Sequence, residues 1–227
     1  ATFSYDAAEI AAPPTQIVDK TGTVWQTPTG TQSFGSNSFT ITGTTDITNT
    51  SSLWTAGPLP GTYFSYQSGS WNDPTTWTSD PGGTTQVGTT IPGDGNAVVI
   101  LPSRTVTLPS DITTANLKVN INSGGIIDMA TYSFTAGLAS LNGQGMLSLS
   151  STNFPTVTTN SFVNAGGGTT EYKNAANFTL PPTQATYNNL RINAPGVIAT
   201  QMSDITLNGN LYVKKGTYRI NDNTTAA

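Results

Sequence analysis

The chain has 227 residues, of which 9% are charged, and its formal net charge is −4 at pH 7. It contains no cysteine and no histidine, which excludes disulfides, thiolate metal sites and a Ser-His-Asp catalytic triad. The acidic balance, without any Lys/Arg run, argues against nucleic-acid binding, and no apolar run approaches the ~18 residues of a membrane span.

Residues 1–60 are predicted to form a small β-rich domain. Residues 1–15 have a mixed, partly helical composition that is too short to form a stable helix alone. Alternating apolar residues predict short strands at 17–18, 23–25, 38–42 and 46–48. The Gly-Pro-Leu-Pro-Gly cluster at 57–61 is the best domain boundary, and the second predicted domain comprises residues 61–227.

The second domain opens on a distinctive pair of tryptophans, Trp71 and Trp77, with Asp73-Pro74 between them. A Pro-Gly-Asp-Gly turn follows and leads into predicted strands at 98–101 and 105–108. This order predicts a cap followed by the first coil of a β-solenoid. The end of a solenoid exposes unpaired backbone groups, and two Trp side chains can cover a large area there.

The same alternation of short predicted strands and polar turns continues to the end of the chain. Asn116-Leu-Lys-Val-Asn120 recurs as Asn189-Leu-Arg-Ile-Asn193, and Leu141-Asn-Gly143 recurs as Leu207-Asn-Gly209. Self-similarity of this kind indicates stacked supersecondary units. Further strands are predicted at 116–120, 125–129, 132–135, 138–141 and 146–149.

We therefore predict an all-β fold, a right-handed parallel β-helix with an N-terminal β cap region. The apolar run at 98–101 suits a strand covered on more than one side, and Leu101-Pro-Ser103 bends the chain without reversing it. A β-sandwich array is the alternative, favoured by the hairpin-like Asn142-Gly143 turn. No cap is predicted after 218–220, so we expect further coils or a partner to cover that end.

Three runs carry a family resemblance: SGSWNDPTTW at 68–77, PGDGNAVVILPSRTVTL at 92–108 and ANLKVNINSGGIIDM at 115–129. They resemble the cap and first coils of large repetitive surface proteins of Bacteroidota. They are also similar to the opening of the eight-glycine domain of animal hyaluronan-related surface proteins. The resemblance covers about 66–220 and is most specific at 66–108.

The resemblance implies a right-handed β-helix and an exported, adhesin-like role. In the bacterial group export often uses the type IX route with a separate C-terminal sorting domain, which this sequence does not show. No catalytic residue of the animal group lies in the matched runs, so none is carried over.

The best candidate metal ligands are the oxygens of Asp94 and Asn96 in the tight turn at 94–96, which could contribute to a Ca²⁺ site. The competing interpretation is that Asp94 stabilises its own turn, as Asp and Asn commonly do. We favour the second interpretation because a calcium loop would carry more carboxylates at close spacing. We therefore predict no metal site and no cofactor.

Two other sets of residues deserve a functional interpretation. The main charge concentration consists of Arg191, Asp204, Lys214, Lys215, Arg219 and Asp222, and we interpret it as a solvated face. Aromatic residues that could stack on sugar rings are Trp25, Trp54, Tyr172, Tyr187, Tyr212 and Tyr218, although packing in the core is the more ordinary role. The Gly166-Gly167-Gly168 turn lacks the lysine and helix of a phosphate-binding loop.

The sequence thus predicts a structural or adhesive extracellular surface protein that is not an enzyme and has no catalytic residues. The alternative is a carbohydrate-binding module, or a non-catalytic part of a polysaccharide-degrading enzyme. Expected partners are other coils of the same larger protein, neighbouring surface subunits and surface glycans, with no nucleic acid and no membrane span.

Overall fold

The structure, a computed structural model, describes residues 61–88 and 90–220 together with the backbone of six earlier strands. These strands are β1 (Thr2–Ser4), β2 (Gln16–Thr21), β3 (Val24–Gln26), β4 (Thr31–Phe34), β5 (Ser38–Thr42) and β6 (Leu53–Gly57). The chain divides into two compact units, Ala1–Gly61 and Thr62–Ala227.

The first unit contains two antiparallel sheets of three strands, in the orders β1-β5-β4 and β3-β2-β6. The strands predicted at 17–18, 23–25 and 38–42 correspond to β2, β3 and β5. The predicted strand at 46–48, and residues 5–15 of the segment with helical composition, lie outside the described residues.

The second unit consists of strands and one short 3-10 helix at Pro74–Thr76. Its strands are β7 (Thr62–Ser65), β8 (Gly69–Ser70), β9 (Trp77–Thr78), β10 (Ala97–Ile100), β11 (Thr105–Thr107), β12 (Leu117–Ile121), β13 (Ile126–Asp128), β14 (Leu138–Gly143), β15 (Met146–Leu149), β16 (Val157–Asn160), β17 (Thr169–Tyr172), β18 (Phe178–Thr179), β19 (Thr186–Tyr187), β20 (Asn189–Gln201), β21 (Thr206–Leu207) and β22 (Leu211–Ile220). No α-helix occurs in the part of the chain that is described.

Two long sheets run side by side along this unit. We call sheet I the ladder β16-β14-β12-β10-β7-β9, and sheet II the ladder β18-β20-β17-β15-β13-β11-β8, with β22 on the far side of β20. Each coil up to β16 and β17 contributes one strand to each sheet, whereas β18 also pairs with β20, and β19 and β21 form a separate two-stranded sheet. The coil-to-coil pairs are parallel. The unit is therefore a parallel β-helix of about six turns, as the sequence predicted.

The parallel pairing also shows that the fold is a β-helix and not the alternative β-sandwich array. A hairpin at Asn142-Gly143 would have paired β14 with β15 in antiparallel fashion. Instead β14 belongs to sheet I and β15 to sheet II, so this turn is a corner of one coil. Asn-Gly provides the bend here without reversing the chain.

The core is built from columns of equivalent residues on successive coils. In sheet II the register aligns Val106, Ile127, Leu147, Thr170 and Leu190, and all five are buried. Because the pairs are in register, each inward side chain packs on its equivalents in the neighbouring coils. This stacking explains why a low hydrophobic content suffices, since aliphatic residues are needed only at alternate strand positions.

Candidate functional site

The N-terminal end of the β-helix is closed by Trp71 and Trp77, each only 1% exposed. Their rings meet edge-to-face with centroids 5.0 Å apart, and Trp71 packs in the same way on Phe134 at 5.2 Å. The Trp77 indole Nε1–H donates a hydrogen bond of 2.8 Å to the Trp71 carbonyl oxygen, and the Trp71 amide donates to Thr107. The predicted cap is confirmed.

Asp73 belongs to the same cap and shapes its backbone. Its Oδ1 accepts hydrogen bonds from the Thr75 amide at 2.9 Å and the Thr75 hydroxyl at 2.8 Å. The first of these bonds is the main reason that the pKa of Asp73 is lowered. This N-cap starts the 3-10 helix at Pro74–Thr76, after which β9 pairs antiparallel with β7 and covers its outer edge.

Asp80 holds the loop after β9, a role that the sequence analysis missed. Its carboxylate accepts backbone hydrogen bonds from Gly82, Thr84 and Thr85 at 2.8–3.0 Å. These bonds, with that of Thr85 the largest contribution, lower the pKa of Asp80 to about 2. The signal in the sequence is Asp80-Pro-Gly-Gly, an acid directly before a tight turn.

The depressed pKa of Asp80 predicts a pH dependence. A carboxyl whose folded pKa lies below its unfolded value stabilises the fold above about pH 4, and this contribution disappears as the pH falls towards 2. We expect Asp80→Asn to have a lower melting temperature than the wild type at pH 5, with the gap closing by pH 2. Thermal unfolding monitored by circular dichroism between pH 2 and 5 measures this difference in melting temperature. A difference that does not change with pH would contradict the prediction.

Asp94 links one coil to the next and thus has a structural role. Its Oδ1 accepts a hydrogen bond of 2.7 Å from the amide of Ala115, while Asn96 Oδ1 accepts one from Gly93. The described residues contain no group of three or more acidic side chains suited to a metal ion. Asn96 therefore holds this turn, whereas Asp94 bonds the next coil and not its own turn, which corrects the role predicted for Asp94.

The Asp94 contact is one of a recurring set, which we call the corner clamps. In each, an Asp or Asn side chain in a turn or at the start of a strand accepts a hydrogen bond from a backbone amide on the following coil. The clamps join Asp94 to Ala115, Asp111 to Ser133, Asn177 to Ile198 and Asn189 to Asn210, at 2.7–2.9 Å. Part of the polar composition of the chain is therefore used to hold coil to coil.

Removing one corner clamp should have a modest, measurable cost. We expect Asp94→Ala to lower the free energy of unfolding by about 1 kcal/mol, the usual contribution of one such hydrogen bond. Urea denaturation measures the change, and Asp204→Ala is the matched control because it also removes an exposed acid. An equal loss in both variants would show that net charge, rather than the clamp, is responsible.

The aromatic candidates fall into two groups. Tyr172 and Tyr187 are fully buried with their hydroxyl oxygens 3.2 Å apart, and burial raises the pKa of Tyr187 to about 12. They therefore belong to the core. Tyr218 is half-buried, whereas Tyr212 is 48% exposed. The strands that carry Trp25 and Trp54 are described, but their side chains lie outside the described part.

The stacking of coils brings Arg191, one of the charged candidates, next to an acid that is distant in the sequence. Arg191 pairs through Nε with Glu171 Oε2 at 3.0 Å, and Glu171 is nearly buried on the outer side of sheet II. Ser148 and Asn193 donate further hydrogen bonds to the same carboxylate at 2.9 and 3.1 Å. Sequence reasoning had not considered Glu171 at all.

A second ion pair lies on the same sheet, between Lys173 and Asp128 at 2.7 Å. These residues stand 45 positions apart in the chain, so no local pattern predicts their contact. Lys214, Lys215 and Arg219 all lie on β22, while Asp222 is outside the described residues.

A groove of about 630 Å³ lies at the last coils of sheet II. It is lined by Thr169, Arg191, Leu211, Tyr212, Val213 and Lys214. This volume falls within the range of small-molecule sites in proteins. The lining brings together one aromatic ring, two cations and a hydroxyl, which makes it the best candidate binding site among the described residues.

Among the described residues no strand pairs with the second edge of β22, which we call its open edge and which lies beside this groove. Leu211 and Val213 continue the columns of Leu190 and Ile192, yet they are 39% and 46% exposed where their equivalents are fully buried. The register therefore places aliphatic side chains where a further layer would cover them.

No protein-family model matches the chain, and no curated protein or solved structure gives a significant match. Within the described part, no helix has the length and apolar character needed to cross a membrane.

Proposed function

We propose that this chain is a structural and adhesive part of an extracellular surface protein and that it has no catalytic role. The observation that carries the proposal is the use made of its polar side chains. Asp94, Asp111, Asn177 and Asn189 each hold one coil to the next. Side chains committed to backbone amides in this way stiffen a rod and are poorly placed to exchange protons with a substrate.

The architecture supports the same role. Each coil adds about 4.8 Å to the length of the stack and contacts only its neighbours. A chain with only 9% charged residues and many hydroxyl and amide side chains suits an exposed extracellular rod. In this role the open edge of β22 packs against another β coil, from the same larger protein or from a neighbouring subunit.

The test has a mechanical and a chemical part. Single-molecule stretching should give unfolding steps of about 70 Å, the contour length of one coil of about 20 residues at ~3.4 Å each. Beads coated with the protein should also be retained under flow on a glycan-coated surface. Turnover of any polysaccharide in a panel of neutral and acidic substrates would overturn the non-catalytic role.

A carbohydrate-binding module is the second candidate, and the exposed ring of Tyr212 in the groove favours it. The module and the adhesive rod differ in how each must bind a glycan. A module binds soluble glycan as an isolated unit, whereas a structural rod need only present a surface. Binding of soluble glycan that is abolished by Tyr212→Ala, without retention of coated beads under flow, would favour the module, whereas retention under flow favours the adhesive rod.

A further inference from the structure

The groove lies along β22 at the last coils of sheet II, and its lining comes from three successive coils. Leu211 and Val213 of this lining continue the inward columns, and the other residues come from neighbouring positions. Strand residues alternate between core and solvent, and Thr170 and Leu190 point inward and are buried. Thr169 on β17 and Arg191 on β20 therefore lie on the outer face, with Tyr212 of β22 paired directly to Arg191. The coil spacing of about 4.8 Å distributes these groups over ~10 Å along the stack, which suits an elongated ligand.

The charge of the groove is positive, and its lining includes no acidic residue. Glu171 is the register partner of Arg191 on the neighbouring strand, offsets its charge and fixes its guanidinium through Nε at 3.0 Å. An arginine held in this way keeps further N–H donors in a fixed plane. The net positive charge then comes from Lys214, with Lys215 beside it in the chain.

The ring of Tyr212 supplies the remaining element of a sugar site. It is 48% exposed and combines an apolar face with a polar hydroxyl. A sugar ring offers C–H groups to such a face and hydroxyls to neighbouring donors and acceptors, among them the hydroxyl of Thr169. Carboxylate or sulfate groups on the sugar would meet Arg191 and Lys214.

We propose that this groove binds an acidic polysaccharide, a chain of sugar rings carrying carboxylate or sulfate groups. The inference deepens the adhesive part of the proposed function and rests on it. Nucleic acid is the less suitable polyanion, because it carries about one charge per 1.7 Å and the protein is itself acidic, with a net charge of −4. One uncompensated cation, Lys214, beside one ring matches a sparser charge pattern.

The experiment measures binding of polygalacturonate, dextran sulfate and neutral dextran to the full chain by isothermal titration calorimetry at 50 and 300 mM NaCl. We expect at least one acidic polymer to bind at 50 mM, to bind more weakly at 300 mM, and neutral dextran not to bind. Lys214→Gln and Tyr212→Ala should each weaken binding about tenfold or more. Both side chains are exposed, so neither change should disturb folding, which the melting temperature checks.

Matched controls are available on other parts of the surface. Lys118→Gln removes an exposed cation from sheet I, and Tyr132→Ala removes another exposed tyrosine. Both should bind as the wild type does. Equal weakening in the controls would show non-specific attraction and overturn the assignment of the groove.

Other results would overturn the ligand class. Neutral dextran binding as tightly as the acidic polymers would exclude an acidic polysaccharide as the preferred ligand. An oligodeoxynucleotide that binds as tightly and depends on the same two residues would also overturn it. If no acidic polymer binds at 50 mM NaCl while coated beads still adhere, this proposal fails and the adhesive function stands.

Discussion

Replacing Trp71 with alanine should lower the free energy of unfolding by about 3–5 kcal/mol, the range for truncating a large buried aromatic residue. Trp71 is 1% exposed and lies between the rings of Trp77 and Phe134. Its loss would open a cavity against the rings of Trp77 and Phe134. Equilibrium denaturation in urea, monitored by circular dichroism, measures the change.

Two further variants test whether the loss of stability comes from the buried Trp71 ring itself. Trp77→Phe keeps most of the ring but removes the Nε1–H bond to the Trp71 carbonyl, so it should cost less than Trp71→Ala. Tyr132→Ala truncates an exposed aromatic residue and should change stability by no more than about 0.5 kcal/mol. A comparably small effect of Trp71→Ala would mean that the cap contributes little to stability.

The second large effect is expected at a corner, where Gly143→Ala should cost at least about 3 kcal/mol. Gly143 has a φ of +101°, which L-residues rarely adopt, and an added Cβ would lie 2.1 Å from the Ile121 carbonyl oxygen on the preceding coil. The obstacle is backbone, so rotation of a side chain cannot relieve it. The free energy of unfolding in urea again provides the measurement.

Gly166→Ala is the control that separates backbone strain from steric overlap. Gly166 has a similar positive φ of +77°, but its Cβ position is open, with no atom within 4 Å. This variant should cost only about 1 kcal/mol. Equal costs at both positions would show that backbone strain alone accounts for the loss and that the coils can separate to admit a methyl group.

The fold was predictable because its signals are local and repeated. Two tryptophans around Asp73-Pro74 mark a cap, and strand alternation after residue 97 marks each coil. Parallel stacking then follows because turns such as Leu101-Pro-Ser103 bend without reversing. The hairpin-like Asn142-Gly143 was ambiguous, because the same dipeptide serves a corner and a hairpin.

The candidate site was predictable only in part. Arg191 and Lys214 were recognised as a charge concentration, and Tyr212 was among the possible sugar-stacking residues. Glu171 was missed because it lies 20 positions before Arg191 (191 minus 171), where only the coil length brings them together. Contacts of this kind depend on the register between coils, which variable turns conceal in the sequence.

The open edge of β22 has a consequence for self-association. Leu211–Ile220 carries Lys214, Lys215 and Arg219 and no acid. If two copies met edge to edge along this strand, the cations of one copy would lie near those of the other with no acid from either strand to offset them, and such like-charge contacts destabilise a sheet. Positive charge on an edge is one way in which natural sheets avoid aggregation. The same strand can thus accept a neutral or acidic neighbour while it rejects a copy of itself.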